Sequence, residues 1–332
     1  MKKAMFWKSL ENKKVQCLLC PQECRIPDGK TGSCRVRKNI EGVLYSLNYG
    51  RIISTSLDSV EKKPLFHFYP GSEILSIATV GCNFHCKFCQ NWNISQSDAI
   101  FGEDMTPQDI VDIALKKKVK LIAYTYTEPT IFFEFAYDTA KIAHSKGIKN
   151  VFVTNGFINR EPLEKIAPYL DAVNIDIKSM GDVFYRKLCG VKGAEPVLDT
   201  IKLAHKLGIH IEITNLLIPG WNTSEKQVND LCSWIVGLDK RIPLHFSRYF
   251  PAYKLSVEST PMKVLDMVYK TAKKKGIEHV YLGNVPDGKE DTYCPSCNTL
   301  LIERKFRAEP KQYLNKGECP KCGYRIYGVG FL

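Results

Sequence analysis

Residues 76–91 read SIATVGCNFHCKFCQN. An apolar, β-branched run opens the stretch, and Cys82, Cys86 and Cys89 follow at C-x3-C-x2-C spacing. The run predicts a buried strand that ends where the thiols begin. Three thiolates so close together can hold three irons of a cubane, but a [4Fe–4S] cluster has four irons and usually takes four Cys. Such a loop leaves one iron open to a ligand that is not protein. Phe84, Phe88, Trp92 and Lys87 lie among the ligands, where they would shield a cluster and set its potential. The blander reading is a zinc knuckle or a set of buried thiols. Zinc prefers paired C-x2-C units, and the available fourth ligand, His85, sits between two of the thiols.

Working outward, the 332-residue length suits one barrel-sized domain with small appendages. Apolar content of 44% and charged content of 25% belong to a globular chain. No apolar run reaches the roughly 18 residues of a membrane span, and the start MKKAMFWKSLENKK has no apolar stretch fit for a signal peptide. A cytoplasmic protein is expected. In that compartment the 13 Cys point to metal rather than disulfides. Eleven fall into three groups: Cys17, Cys20, Cys24 and Cys34; Cys82, Cys86 and Cys89; and Cys294, Cys297, Cys319 and Cys322. Cys189 and Cys232 stand alone. The net charge of +12 is compatible with an acidic electron donor such as ferredoxin or flavodoxin, or with nucleic acid. Solvated helix faces such as Lys116-Lys117-Lys118 and Lys273-Lys274-Lys275 account for it more simply.

The first group has the spacing C-x2-C-x3-C-x9-C in a segment rich in Pro and Gly, which a metal would have to hold together. Four Cys satisfy either tetrahedral zinc or a second [4Fe–4S] cluster. Short alternating runs (Val43-Leu44-Tyr45, Ile52-Ile53) and the segment KKPLFHFYPGSEIL predict a β-hairpin leading onward, with His67 packed in the core. From residue 74, strand patterns at 74–80, 121–126, 150–154, 172–178, 210–218, 243–250 and 279–284 alternate with amphipathic stretches. One of these, from Thr106, opens T-P-Q-D like a capped helix. Alternation of this kind implies a parallel sheet, and six or seven units predict a whole or partial barrel. The alternative is an open doubly wound sheet, but no Gly-rich phosphate loop follows the first strand. Each strand ends in polar or turn chemistry: Thr79, Glu128, Asn155, Asp176 with Lys178, Asn215, Arg248. Barrel active sites sit at the C-terminal ends of strands, so these groups would ring one mouth around the thiols.

On these residues a resemblance becomes plain. C-N-F-H-C-K-F-C resembles the signature of radical S-adenosylmethionine (SAM) enzymes. V-T-N-G-F, N-I-D-I-K and L-L-I-P-G-W-N are similar to motifs of pyruvate formate-lyase activating enzymes. The first Cys group, Y-T-Y-T-E-P-T and the closing Cys pairs resemble AmmeMemoRadiSam-system radical SAM proteins. The resemblance implies an α/β fold, a partial (β/α)6 TIM-like barrel. It also implies that Cys82, Cys86 and Cys89 ligate a [4Fe–4S] cluster whose open iron takes SAM. Glu128 would receive the SAM amino group, although Y-T-E replaces the superfamily's G-G-E. Asn155, Asp176 and Lys178 would line the SAM pocket or the substrate side. Implied partners are Memo-type and AMMECR-type proteins, an electron donor and a protein or peptide substrate.

Three segments follow: a Cys-rich N-terminal segment with a hairpin (1–72), the barrel (73–286) and a C-terminal module (287–332). In the last, CPSC and CPKCG lie close to a zinc-ribbon pattern, with rubredoxin-type iron as the minor alternative. Arg304, Lys305 and Arg307 keep nucleic acid in view, but a ribbon that pins the C-terminus is the commoner case. The functional readings are hydrogen abstraction from a protein or peptide, activation of a glycyl-radical enzyme, and a non-enzymatic zinc scaffold.

Overall fold

The computed structural model describes residues 1–286, 289–305 and 308–332. Its centre is an eight-stranded sheet in simple sequential order. The strands are β1 (Ser54–Ser59), β2 (Glu73–Ala78), β3 (Leu121–Tyr124), β4 (Lys149–Thr154), β5 (Ala172–Asp176), β6 (His210–Leu217), β7 (Leu244–Arg248) and β8 (Val280–Gly283). From β2 to β8 all pairs are parallel, and β1 runs antiparallel along the β2 edge. β3 is buried at every position, which is the pattern of a strand covered on both faces.

Six helices fill the crossovers: α1 (Pro107–Lys116), α2 (Phe133–Ser145), α3 (Arg160–Ile166), α4 (Glu195–Lys206), α5 (Glu225–Asp239) and α6 (Met262–Lys275). α1 begins at a capping box between Thr106 and Asp109. α6 ends at Gly276, whose left-handed backbone (φ +95°) suits glycine. The result is six β–α units and a seventh parallel strand, open between β1 and β8. The expected partial barrel is present. What the sequence reading lacked is β1, whose residues it had placed in the N-terminal segment.

The far end of the barrel, where the parallel strands begin, is plugged. Glu212 of β6 is fully buried and accepts from the backbone N–H groups of Phe66 and His67 at 3.0 and 2.7 Å. It also accepts from His210 at 3.1 Å and His245 at 2.7 Å. His67 is the packed core histidine expected, bonded to the Tyr281 hydroxyl and the Tyr327 carbonyl, both at 2.6 Å.

The C-terminal module has its own small core of Cys294, Leu301, Ile302, Cys319 and Ile326. It closes the plugged end. The Arg304 guanidinium donates to the Phe66 carbonyl at 2.7 Å and lies 4.4 Å from the Phe66 ring. Arg304 is thus turned inward and pins the module to the barrel. Lys305 pairs with Glu303, and Arg307 lies outside the described residues. The N-terminal segment behaves differently. It forms two three-stranded sheets, and Cys17, Cys20 and Val36 share one apolar core with Cys86 and Phe88.

Candidate active site

β2 ends at Ala78, and the thiol loop leaves it through Gly81. A Cβ at Gly81 would stand 2.6 Å from Val36 and 3.0 Å from the Cys34 carbonyl, and φ is +100°. Only glycine fits that crossing. The loop is then held from two sides. The N–H groups of His85 and Lys87 donate to the carbonyls of Cys189 and Leu188, both at 2.8 Å. Asn83 is buried and donates to the Phe157 carbonyl at 2.8 Å. Phe84 and Phe88 are buried behind the loop against Phe157 and Phe184. Trp92, expected to shield a cluster, is instead 46% exposed and stacks on Tyr253 at 5.0 Å. His85 is not a fourth ligand in this arrangement. Its two ring nitrogens meet Ser33 at 2.8 Å and Gln96 at 2.7 Å.

The strand-end residues meet the thiols in two chains. In the first, Asn155 sends its amide to Asn83 at 2.8 Å and to the Cys82 sulfur at 3.8 Å. Its backbone N–H donates to Glu128 Oε2 at 2.8 Å. Glu128 Oε1 accepts from Thr130 N, Thr130 Oγ1 and Thr154 Oγ1 at 3.0, 2.6 and 2.7 Å. Every donor to Glu128 is neutral. Burial pushes its carboxyl above the usual range, against the hydrogen bonds that lower it.

The Y-T-E segment that carries Glu128 turns at its first residue. Tyr126 takes the left-handed conformation (φ +62°) that glycine adopts freely. Its hydroxyl donates to Asp58, and Lys63 stands 4.3 Å from its ring. These contacts hold a residue that would otherwise resist that turn.

In the second chain, Asp176 and Lys178 form an ion pair at 2.8 Å, mostly shielded from water. Burial works against the Lys178 charge, but Asp176 and Cys86 outweigh it and raise its pKa. Asn215 and Arg248, two other strand-end residues, are used in support. Asn215 donates to the Ile177 carbonyl at 2.7 Å and Arg248 to the Thr260 carbonyl at 2.9 Å.

Sequence reasoning missed Cys189. The structure brings this wholly buried thiol, at the end of the Tyr185–Cys189 turn, beside Cys86. That contact, then burial, raises Cys86 well above the ordinary thiol range. Burial likewise raises Cys82 and Cys89. Only the neighbouring Gly190, with φ +74°, hinted at a special backbone here.

The donor set fits an iron–sulfur cluster. Three thiols leave one short loop, and N–H groups of Phe84 and Asn155 and the Ser95 hydroxyl are aimed at their sulfurs at 3.4, 3.8 and 3.3 Å. Comparison with known proteins agrees. The Radical SAM superfamily pattern matches residues 76–232. An uncharacterised protein of Methanocaldococcus jannaschii is 48% identical, over 98% of this chain and 99% of its own. A putative glycyl-radical enzyme activating enzyme of the same organism is 26% identical, over 49% of this chain and 64% of its own. A radical SAM methyltransferase structure from Sphaerobacter thermophilus shares the fold, with a TM-score of 0.53 and 15% identity over 65% of this chain and 67% of its own.

The fold and the three-thiol loop define an enzyme that works on SAM through a [4Fe–4S] cluster. The chain belongs to the radical SAM superfamily, which sets aside the non-enzymatic scaffold. Among the described residues no helix is long and apolar enough to cross a membrane.

Proposed function

We propose that this enzyme abstracts hydrogen from a protein or peptide, with Cys82, Cys86 and Cys89 holding the cluster and Glu128, Asn155, Asp176 and Lys178 shaping the SAM site. When bound, the cluster supplies the electron that splits SAM into methionine and a 5′-deoxyadenosyl radical. The observation that carries the reading is the hydrogen-bonded chain from the Cys82 sulfur through Asn155 to Glu128. It puts a buried carboxylate with only neutral partners beside the thiols. A cationic ligand such as the SAM ammonium would balance that charge, and Oε2 keeps a lone pair for it. Lys178, paired with Asp176, would meet the SAM carboxylate or stabilise the thiolates. Thr127 and Asn91 fix the floor between these groups by donating to the carbonyls of Thr79 and Tyr126 at 2.8 and 2.7 Å.

A macromolecular substrate fits the surface beside the loop. An open cleft of about 580 Å³ runs past His85, Lys87, Lys187, Trp221 and Lys254. The substrate would be acidic near the reacting residue. Memo-type and AMMECR-type proteins are the candidate carriers that the sequence resemblance supplies, and a ferredoxin or flavodoxin the electron source. Zinc is the metal proposed for Cys294, Cys297, Cys319 and Cys322.

Anaerobic reconstitution with iron and sulfide, then SAM and dithionite, tests the reading. The wild type is expected to form 5′-deoxyadenosine and Cys86→Ala none. Equal product from both rejects it. A second reading, glycyl-radical activation, is favoured by the Methanocaldococcus relative's name. The EPR doublet of a glycyl radical in a mixed candidate partner would establish it.

A further inference from the structure

The two four-cysteine groups differ in how their sulfurs stand. Among the described residues, Cys294, Cys297, Cys319 and Cys322 form the one set of three or more His, Cys, Asp or Glu whose ligand atoms all lie within 4.8 Å of one another. Two sulfur pairs there are 3.6 Å apart. Tetrahedral zinc, with Zn–S near 2.3 Å, sets its sulfurs about 3.8 Å apart, so this group is drawn in as far as a single ion requires. Cys17, Cys20, Cys24 and Cys34 are not. They line a common cavity of about 20 Å³, together with Ile26, Ile131 and Arg37. Thiols that line one void without converging on a point suit a cluster in which each binds a different iron.

We propose that Cys17, Cys20, Cys24 and Cys34 hold a second [4Fe–4S] cluster, fully ligated by protein, that relays electrons to the centre held by Cys82, Cys86 and Cys89.

A second, independent observation points to an anionic occupant. Arg37 is 1% exposed and lines the cavity. One of its terminal nitrogens is taken by Glu134, but Nε and Nη1 have no partner. Unpaired buried donors are costly and rare. A cluster ligated by four thiolates is anionic, and its sulfurs accept N–H bonds. The Ser33 N–H already points at Cys24 Sγ at 3.5 Å.

Position supplies the role. The cavity is walled by Asn83, the residue after Cys82. The Ser33 hydroxyl meets His85 of the thiol loop at 2.8 Å, and Val36 and the Cys34 carbonyl crowd the loop at Gly81. The two thiol sets therefore share a wall. Apart from the buried Arg37, residues 1–40 carry nine basic and three acidic side chains, a surplus of +6. An acidic one-electron carrier protein would dock on that face. It would reduce the second cluster from the 2+ to the 1+ state. The same electron would pass on to the Cys82 centre and return the second cluster to 2+, with no atom transferred.

The metal assignment stands by itself, while the relay rests on the proposed function. Anaerobic reconstitution with iron, sulfide and zinc tests the first. About eight irons per chain are expected in the wild type and about four in Cys82→Ala/Cys86→Ala/Cys89→Ala, since each cluster has four. The reduced variant should show a cluster EPR signal that SAM leaves unchanged. A wild type with only four irons and two zincs overturns the assignment whether or not the variant folds, and so does iron-free protein from a variant that stays folded. The relay is tested by reducing the protein fully, removing the reductant and adding SAM. The wild type should yield about two 5′-deoxyadenosines per chain and Cys24→Ala about one, one per stored electron. One from each overturns the relay. None from either condemns the radical reading instead and leaves the iron count to decide the metal.

Discussion

Glu128 and Glu212 sit at opposite ends of the same barrel, both wholly buried and each accepting four hydrogen bonds. Their electrostatics diverge. At Glu212, burial would raise the carboxyl, but His210 and His245 overcome it and hold the group well below the usual range. At Glu128, burial wins because no partner can carry positive charge. One carboxylate is complete within the protein and clamps the plug of the barrel. The other is left short of a cation, next to the thiols. Equal burial and equal hydrogen-bond count can serve structure at one end and ligand binding at the other.

The largest effect that would break this contrast is in stability. Glu212→Ala strips the acceptor from two histidines and two backbone N–H groups at once. A loss of about 3–5 kcal/mol is expected, seen in the thermal midpoint. Yield of 5′-deoxyadenosine per folded molecule should stay at the wild-type level. A variant as stable as the parent would show that the plug is held by the apolar ring of Phe66, Tyr281 and Phe68 alone.

Glu128→Gln should do the reverse. The amide keeps the shape and removes the charge. SAM affinity is expected to fall by about 1.5–3 kcal/mol, the worth of a charge-assisted hydrogen bond, when titrated calorimetrically into reconstituted protein. Folding stability should hold or rise, because an uncompensated buried anion is gone. Unchanged SAM affinity with a lower thermal midpoint would make Glu128 a second clamp.

The pH dependence separates the two more finely. Glu212 is lowered on folding, so its stabilisation is full above the unfolded value of about 4.3 and is lost as pH falls through the folded one. Glu128 is raised, so it costs stability as pH climbs from about 4.3 through its folded value. Relative to wild type, Glu212→Gln should flatten the acid loss of thermal midpoint. Glu128→Gln should remove a decline that begins near the unfolded value and ends at the raised folded one. Parallel shifts in both variants would erase the distinction.

Much of this was legible in the chain. The strand and helix patterns fall on β2–β8 and α1–α6 because a parallel sheet demands unbroken apolar runs, and those are visible locally. The placement of Cys82, Glu128, Asn155 and Lys178 at one end followed from strand order alone. β1 escaped notice because STSLDS alternates weakly, and only pairing along β2 makes it a strand. The use of Arg304 as an inward pin, the exposure of Trp92 and the anchoring of Tyr126 by Asp58 and Lys63 also depend on partners far away in sequence. The Asp58–Tyr126 contact spans 68 positions, and no local pattern records it.

Cys189 is the sharpest case of such a distant partner, and its removal is the smallest effect expected. It lies 103 positions from Cys86, yet stands beside it in the fold. Were Cys189 a fourth ligand, no iron would be left open and SAM would have no place to bind. Cys82, Cys86 and Cys89 leave one short loop together, whereas Cys189 comes from a separate turn. Cys189→Ala should therefore keep its iron content and its SAM-dependent EPR change, at a cost of about 1 kcal/mol for the lost buried sulfur. It should also free Cys86 from the interaction that raises its pKa most. Thiolate ligation requires that proton to leave, so iron loading should begin at lower pH in the variant than in the wild type. Loss of the cluster in Cys189→Ala would instead make it a ligand and move SAM away from this loop.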